Sequence, residues 1–162
     1  MVSSASAAVS GNRVRPDQIS CTQTSCVVNL PLSFTLNCTT GGNMKLTGTI
    51  DGSMNNTGTG LIGIQADITI TDWSCIQGFI INGAPDITIT GMFSFINGAP
   101  ATTQSIDMGG AFEWGSSAAD VCNINLTTNF NADGSGDTSG TLCGNPINTS
   151  FPALQVEHMN ER

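Results

Sequence analysis

From about Val27 onward, apolar and polar residues alternate along the chain. Leu30, Leu32, Phe34, Leu36 and Cys38 fall on one side, and Asn29, Ser33, Thr35, Asn37 and Thr39 on the other. In an extended chain successive side chains point to opposite faces, so this pattern predicts a strand with one dry face. The same period returns in Leu46, Gly48 and Ile50, in Ile68 and Ile70, and in Ile87, Ile89, Gly91, Phe93 and Phe95. It continues through Ile106, Met108, Gly110, Phe112 and Trp114, and is cleanest in Cys122, Ile124, Leu126, Thr128 and Phe130. Helical spacing is absent before the ambiguous segment that follows Phe151. The reading is an all-β chain.

Turn chemistry punctuates these runs. Asp51-Gly52, Asn82-Gly83, Asn97-Gly98 and Asp133-Gly134 are dipeptides that tolerate positive φ, and each predicts a tight hairpin connection. Two of them sit in near-copies of one phrase, INGAP, at Ile81–Pro85 and Ile96–Pro100. Pro85 and Pro100 lack a backbone donor and so stop pairing before the next strand. A second echo, DITIT, begins at Asp67 and again at Asp86, an offset of nineteen residues rather than fifteen. A solenoid would keep one period. Unequal offsets instead predict an antiparallel meander of about eight strands, forming a barrel or a two-layer sandwich.

The six cysteines, Cys21, Cys26, Cys38, Cys75, Cys122 and Cys143, contain no CxxC pair, and the chain has a single histidine. Metal-binding spacing is therefore missing, and disulfides are the better reading. A turn within Asn131–Gly136 brings Cys122 opposite Cys143, and a hairpin centred on Asn56 and Thr57 brings Cys38 to Cys75. Cys21 and Cys26 are left to clip a small loop. Such bonds persist in oxidising compartments, which predicts an extracellular, periplasmic or cell-surface location.

Charge narrows the partners. Only 10% of the residues are charged, and four Lys+Arg against twelve Asp+Glu give a net charge of -8. Nucleic acid and anionic membrane surfaces would repel such a chain. An apolar run long enough to span a bilayer as a helix is also missing, so no transmembrane segment is expected. At 162 residues one domain is expected: an N-terminal tether or arm over 1–20, a β domain over 21–151, and a polar tail over 152–162.

Chemistry is sparse. His158 lies in the polar tail, which leaves nucleophilic catalysis without its base. Asp67, Asp72, Asp86, Asp107 and Glu113 are candidates for paired carboxylates, and Trp73 and Trp114 are candidate ligand-binding residues that would stack on sugar rings. The run Asn131–Asp137 places oxygen-bearing side chains at alternate positions, with Asp133 and Asp137 as the candidate calcium ligands. Leu142 stands where an EF-hand requires its bidentate Glu, so a plain hairpin turn competes with that reading. Thr-x-Thr pairs such as Thr69/Thr71 and Thr88/Thr90 resemble in spacing the threonine arrays of ice-binding proteins, and equally suit any strand with a wet face. Sequons stand at Asn37, Asn55, Asn125 and Asn148.

Together these features predict a non-enzymatic, disulfide-stapled β domain without catalytic residues or a required cofactor. It would act as a surface binding or self-assembly module toward other copies of itself, an extracellular matrix or a glycan. A carrier of small apolar ligands in a barrel cavity and a carbohydrate-binding domain are the alternatives.

Overall fold

The alternation becomes strand register with little slippage. In the computed structural model, which describes residues 8–11, 19–38, 40–76, 79–84, 86–101, 104–115 and 120–153, the strands are β1 (Ala8–Gly11), β2 (Ile19–Cys21), β3 (Ser25–Asn37), β4 (Asn43–Asn55), β5 (Gly60–Thr71), β6 (Trp73–Ile76), β7 (Phe79–Gly83), β8 (Ile87–Ile96), β9 (Ala99–Pro100), β10 (Gln104–Gly115), β11 (Asp120–Phe130), β12 (Gly136–Leu142) and β13 (Asn145–Phe151). All pairings are antiparallel, in the order β1-β3-β4-β5-β8-β10-β11-β12-β13, with β2 on β3, β7 on β10 and β6, and β9 on β8. No helix occurs among the described residues. The strands of seven or more residues are eight, matching the expected meander. The five short ones are too brief to display a period. The sheet does not close on itself, so the architecture is an open, sandwich-like one and the barrel is set aside.

Several expectations are corrected. The arm over 1–20 is partly in the sheet, since Ala8–Gly11 pairs with Phe34–Asn37 and Ile19–Cys21 pairs with Cys26–Val28. Lack of alternation hid these pairings, because a four-residue or three-residue strand needs only backbone groups. Of the four turn dipeptides, Asn97-Gly98 and Asp133-Gly134 do turn, whereas Asp51-Gly52 lies inside β4 and Asn82-Gly83 ends β7. At Gly52 the ladder to β5 continues unbroken, and the reversal waits for Asn55–Thr59, where the Asn55 carboxamide oxygen accepts bonds from the Thr57 and Thr59 amides. Long-range pairing here overrides local turn propensity.

The three disulfides are the expected pairs, reached by different routes. Cys143 is not directly opposed to Cys122. The β11–β12 register is shifted by one residue from the expected one, pairing Ile124 with Leu142, and Cys143 sits beyond it in the two-residue turn to β13 with φ 50°. Its amide donates to the Asn123 carbonyl, 2.9 Å, which keeps the two sulfurs in reach. Cys38 follows β3 and Cys75 lies in β6, so their bond joins two chain reversals at one end of the sheet rather than the arms of a single hairpin.

Even-numbered residues of β3, β4, β5, β10, β11 and β12 and odd-numbered residues of β8 face one apolar side, and the glycines there carry the fold. One cross-sheet row runs Leu46, Ile68, Ile87, Gly110, Ile124, Leu142. Gly110 has φ 132°, and a Cβ there would run into the Asp86 carbonyl oxygen and come within 2.8 Å of the Ile87 Cα. Removing that side chain lets Ile87 and Ile124, two strands apart, meet over the backbone with Ile70 as the buried cluster. Glycine on the inner side of a sheet thus permits the curl that a single sheet needs to cover its own apolar face. Opposite Gly110 the edge formed by β7 and β8 carries two extra residues between Gly83 and Thr88, a bulge closed by the Ala84 amide on the Ala111 carbonyl. Gln104, a buried polar residue of this side, is satisfied by donating to the Ser94 carbonyl at 2.8 Å.

Two outcomes are expected in chemical denaturation. Gly110→Ala loses about 2–4 kcal/mol through backbone collision and an unfavourable φ, whereas Gly134→Ala, at a turn with open space around it, loses about 1 kcal/mol. Replacing Cys38 and Cys75 by Ala, which opens a separation of 37 residues, costs about 4 kcal/mol, against about 2 kcal/mol for Cys21 and Cys26 with a separation of 5.

Candidate functional site

The outward side of the sheet is a continuous polar array. Thr49, Gln65, Thr90, Asp107, Thr127, Ser139 and Asn148 stand directly opposite one another from β4 to β13. Within it side chains tie neighbouring strands: the Thr127 hydroxyl donates to Asp107 at 2.6 Å, the Asn129 amide to Asp137 at 3.2 Å, and the Thr69 hydroxyl to Asp86 at 3.0 Å. Short polar side chains on strands give such cross-strand bonds at little entropic cost.

A shallow hollow of about 350 Å³ interrupts this array, with Asp51, Gln65, Thr90, Met92, Ser105 and Asp107 in its wall. It exists because Gly63 occupies the polar-face position between Asp51 and Met92 and raises no side chain. Asp51 on β4 and Asp107 on β10 are separated by β5 and β8, roughly 14 Å at normal strand spacing. That is well beyond the window of about 5–9.5 Å in which two carboxyl groups share a glycosidic bond. Beside the hollow, three large apolar side chains break the polarity of the face: Leu61 is 52% exposed, Met92 64% and Ile96 55%.

The other candidate residues are dispersed. Asp72 is the positive-φ residue between β5 and β6, its amide bonded to the Asn82 side chain at 2.6 Å. Glu113 lies across from Val121 and Asn82, away from the hollow. Asp67 and Asp86 lie on or beside neighbouring strands, Asp86 being engaged by Thr69. Trp73 packs against the buried isoleucine cluster, with its indole nitrogen shielded from water and without an acceptor among the described residues. Trp114 is half-buried on the apolar side with its ring centre 5.5 Å from that of Phe112. The two indoles therefore do not form an exposed stacking platform. His158 lies outside the described residues. The sequons at Asn37, Asn125 and Asn148 are exposed on strands, and that at Asn55 spends its oxygen within the turn.

Asp133 and Asp137 are engaged by different partners. Asp133 closes the Asn131–Ser135 turn, its carboxylate accepting from the Ser135 amide at 2.9 Å and the Ser135 hydroxyl at 2.6 Å. Asp137 belongs to the β12 ladder opposite Asn129. Among the described residues no group of three His, Cys, Asp or Glu side chains is arranged to hold a metal ion. What sequence reading missed was the hollow, whose signal was a glycine at a polar-face position of an otherwise regular strand. No protein-family model, no curated protein and no solved structure matches the chain.

The Ser135 hydroxyl, and after it the Ser135 amide, hold the Asp133 carboxyl below its ordinary value. A depressed carboxyl favours the folded turn above the unfolded-state pKa, and that contribution fades as pH falls through the folded value. An NMR titration is expected to show Asp133 ionising below an ordinary aspartate and to move upward in Ser135→Ala. An identical titration in both proteins contradicts the assignment.

Proposed function

We propose that the chain is a non-enzymatic structural module of an oxidising, extracytoplasmic setting, whether extracellular, periplasmic or on a cell surface. It acts through its surfaces, by associating with other copies of itself or with an extracellular polymer. The observation that carries this reading is an unfinished core. Of the large apolar side chains on the inner side among the described residues, only Ile70, Ile87 and Ile124 are buried, while Leu30, Leu46, Ile62, Ile64, Phe93, Phe95 and Phe151 are only half-buried and Phe34 is exposed. Apolar surface left facing water marks a place for a partner.

Three disulfides support the compartment, since cytosolic thiols are kept reduced. No helix among the described residues is long and apolar enough to cross a membrane. The separation of Asp51 from Asp107 and the engagement of Asp86 by Thr69 support a non-hydrolytic reading. An apolar-ligand carrier draws less support, because an open sheet does not enclose a ligand on all sides. A sugar-binding reading draws less again from indoles turned toward the apolar side.

Light scattering from micromolar to millimolar protein is expected to report a mass that rises with concentration, alongside retention on an immobilised glycan or matrix polymer if the partner is heterologous. A protein that stays monomeric throughout and binds none of these polymers sinks the reading. Association is expected to strengthen with added salt, since each copy carries a net charge of -8 and the screening length shortens.

A further inference from the structure

The strand that ends the sheet, β13, is chemically palindromic. Its stretch Pro146-Ile147-Asn148-Thr149-Ser150-Phe151-Pro152 reads proline, apolar, polar, threonine, polar, apolar, proline from either end. Among the described residues no strand pairs with its outer margin. We propose that two copies of the chain join through this margin, β13 against β13 about a two-fold axis through Thr149. The inference rests on the assembly reading above and names its contact.

The direction of the backbone groups follows from the neighbouring ladder. The Asn131 amide bonds the Ser135 carbonyl and the Cys143 amide bonds the Asn123 carbonyl, so odd-numbered residues of β12 turn their backbone groups to β11. Even-numbered residues then face β13, and through the pairs Leu142 with Asn145, Gly140 with Ile147, Thr138 with Thr149 and Gly136 with Phe151 the odd residues of β13 are committed inward. Pro146, Asn148, Ser150 and Pro152 face outward. Prolines have no amide hydrogen, so the margin offers amide donors at Asn148 and Ser150 and is closed off on both sides of them.

Antiparallel pairing centred on Thr149 sets Asn148 of each copy against Ser150 of the other. Both backbone donors and both acceptors of that pair are then used, and Pro146 falls opposite Pro152, a pair without donors that ends the ladder on either side. Sliding the centre to Asn148 sets Ile147 against Thr149 and Phe151 against Asn145, which loses the match of apolar with apolar. The centred register also sets Ile147 against Phe151 on the apolar side and continues the polar face through Asn148 and Ser150, the kind of cross-strand pairing that stabilises a sheet. A segment that complements itself under inversion fits a copy of itself, as a closed two-fold contact requires. Exposed margins usually carry a charged residue as protection against such pairing. This one carries none from Asn145 to Pro152, and the exposed state of Asn148, Thr149 and Ser150 leaves room for a partner.

The test uses the oxidised full chain. Asn148→Pro removes an outward amide without touching the β12 ladder, and is expected to weaken dimerisation by about tenfold or more while the melting temperature of the monomer is kept. Thr149→Cys is expected to form a disulfide-linked dimer under mild oxidation, because a residue on the two-fold axis faces itself; Ile147→Cys and Asn148→Cys are not. If the parent protein dimerises but Asn148→Pro dimerises equally well, or Thr149→Cys cross-links no faster than the other two, the β13 contact is overturned and assembly through another surface stands. If the parent protein is monomeric at every concentration, self-association falls together with the contact, and the proposed function then stands or falls on polymer binding alone.

Discussion

A single sheet has to bury its own apolar side, and here the backbone does so by approaching itself. At Gly110 the space where a Cβ would stand is taken by the Asp86 carbonyl and the Ile87 backbone, and the isoleucines on either side close over the gap. Gly48, Gly136 and Gly140 repeat the arrangement in other rows, each with the neighbouring strand's carbonyl in the place of its side chain. In the Gly136 row Phe130 and Phe151 meet across the glycine as tilted rings with centres 5.7 Å apart. A larger residue at any of these positions would flatten the sheet and expose what the curl now covers. The fold is therefore limited less by how many apolar residues it has than by how tightly the ladder can bend.

That limit is reached unevenly. The buried isoleucine cluster, the hairpin of β6 and β7, and the Cys38–Cys75 and Cys122–Cys143 bonds all lie at one end of the sheet. The Cys21–Cys26 bond clips the other end, where Val27, Leu61, Met92 and Ile96 stand on the outer face with roughly half their surface in water. Two covalent bonds thus reinforce the end that is already well packed, and the more loosely packed end retains the apolar side chains that a partner would cover. Open margins follow from the same cause, since a sheet that bends too little to meet itself keeps a first and a last strand. On one side β1 and β2 cover parts of β3, and on the other β13 is bare among the described residues.

Much of this was legible residue by residue. The faces of β3, β4, β5, β8, β10 and β11 follow directly from alternation, because burying one face specifies which residues must share it. The pairing of cysteines was legible too, although its geometry was off by one step at Cys143 and involved two separate reversals at Cys38 and Cys75. Turn dipeptides were half informative: Asn97-Gly98 turns, while Asp51-Gly52 is held straight by the ladder on β5. The candidate residues fared differently. Trp114 is an apolar-side residue by the same alternation that defined the strands, Trp73 lies on a strand too short to display it, and the acidic residues were set by strand order, a quantity that no local window contains.

By itself the amino-acid sequence determined the all-β class, the eight long strands, the dry and wet sides, and the set of thiols that pair, because each of these depends on a period of two or on residues near in the chain. Tertiary structure alone decided that the sheet stays open, that Gly63 leaves a hollow between distant carboxylates, and that no strand among the described residues pairs with the margin of β13. Closure, hollows and margins depend on which strands end up beside one another and how far the whole ladder curls, and those are sums over every pairing rather than properties of any one segment.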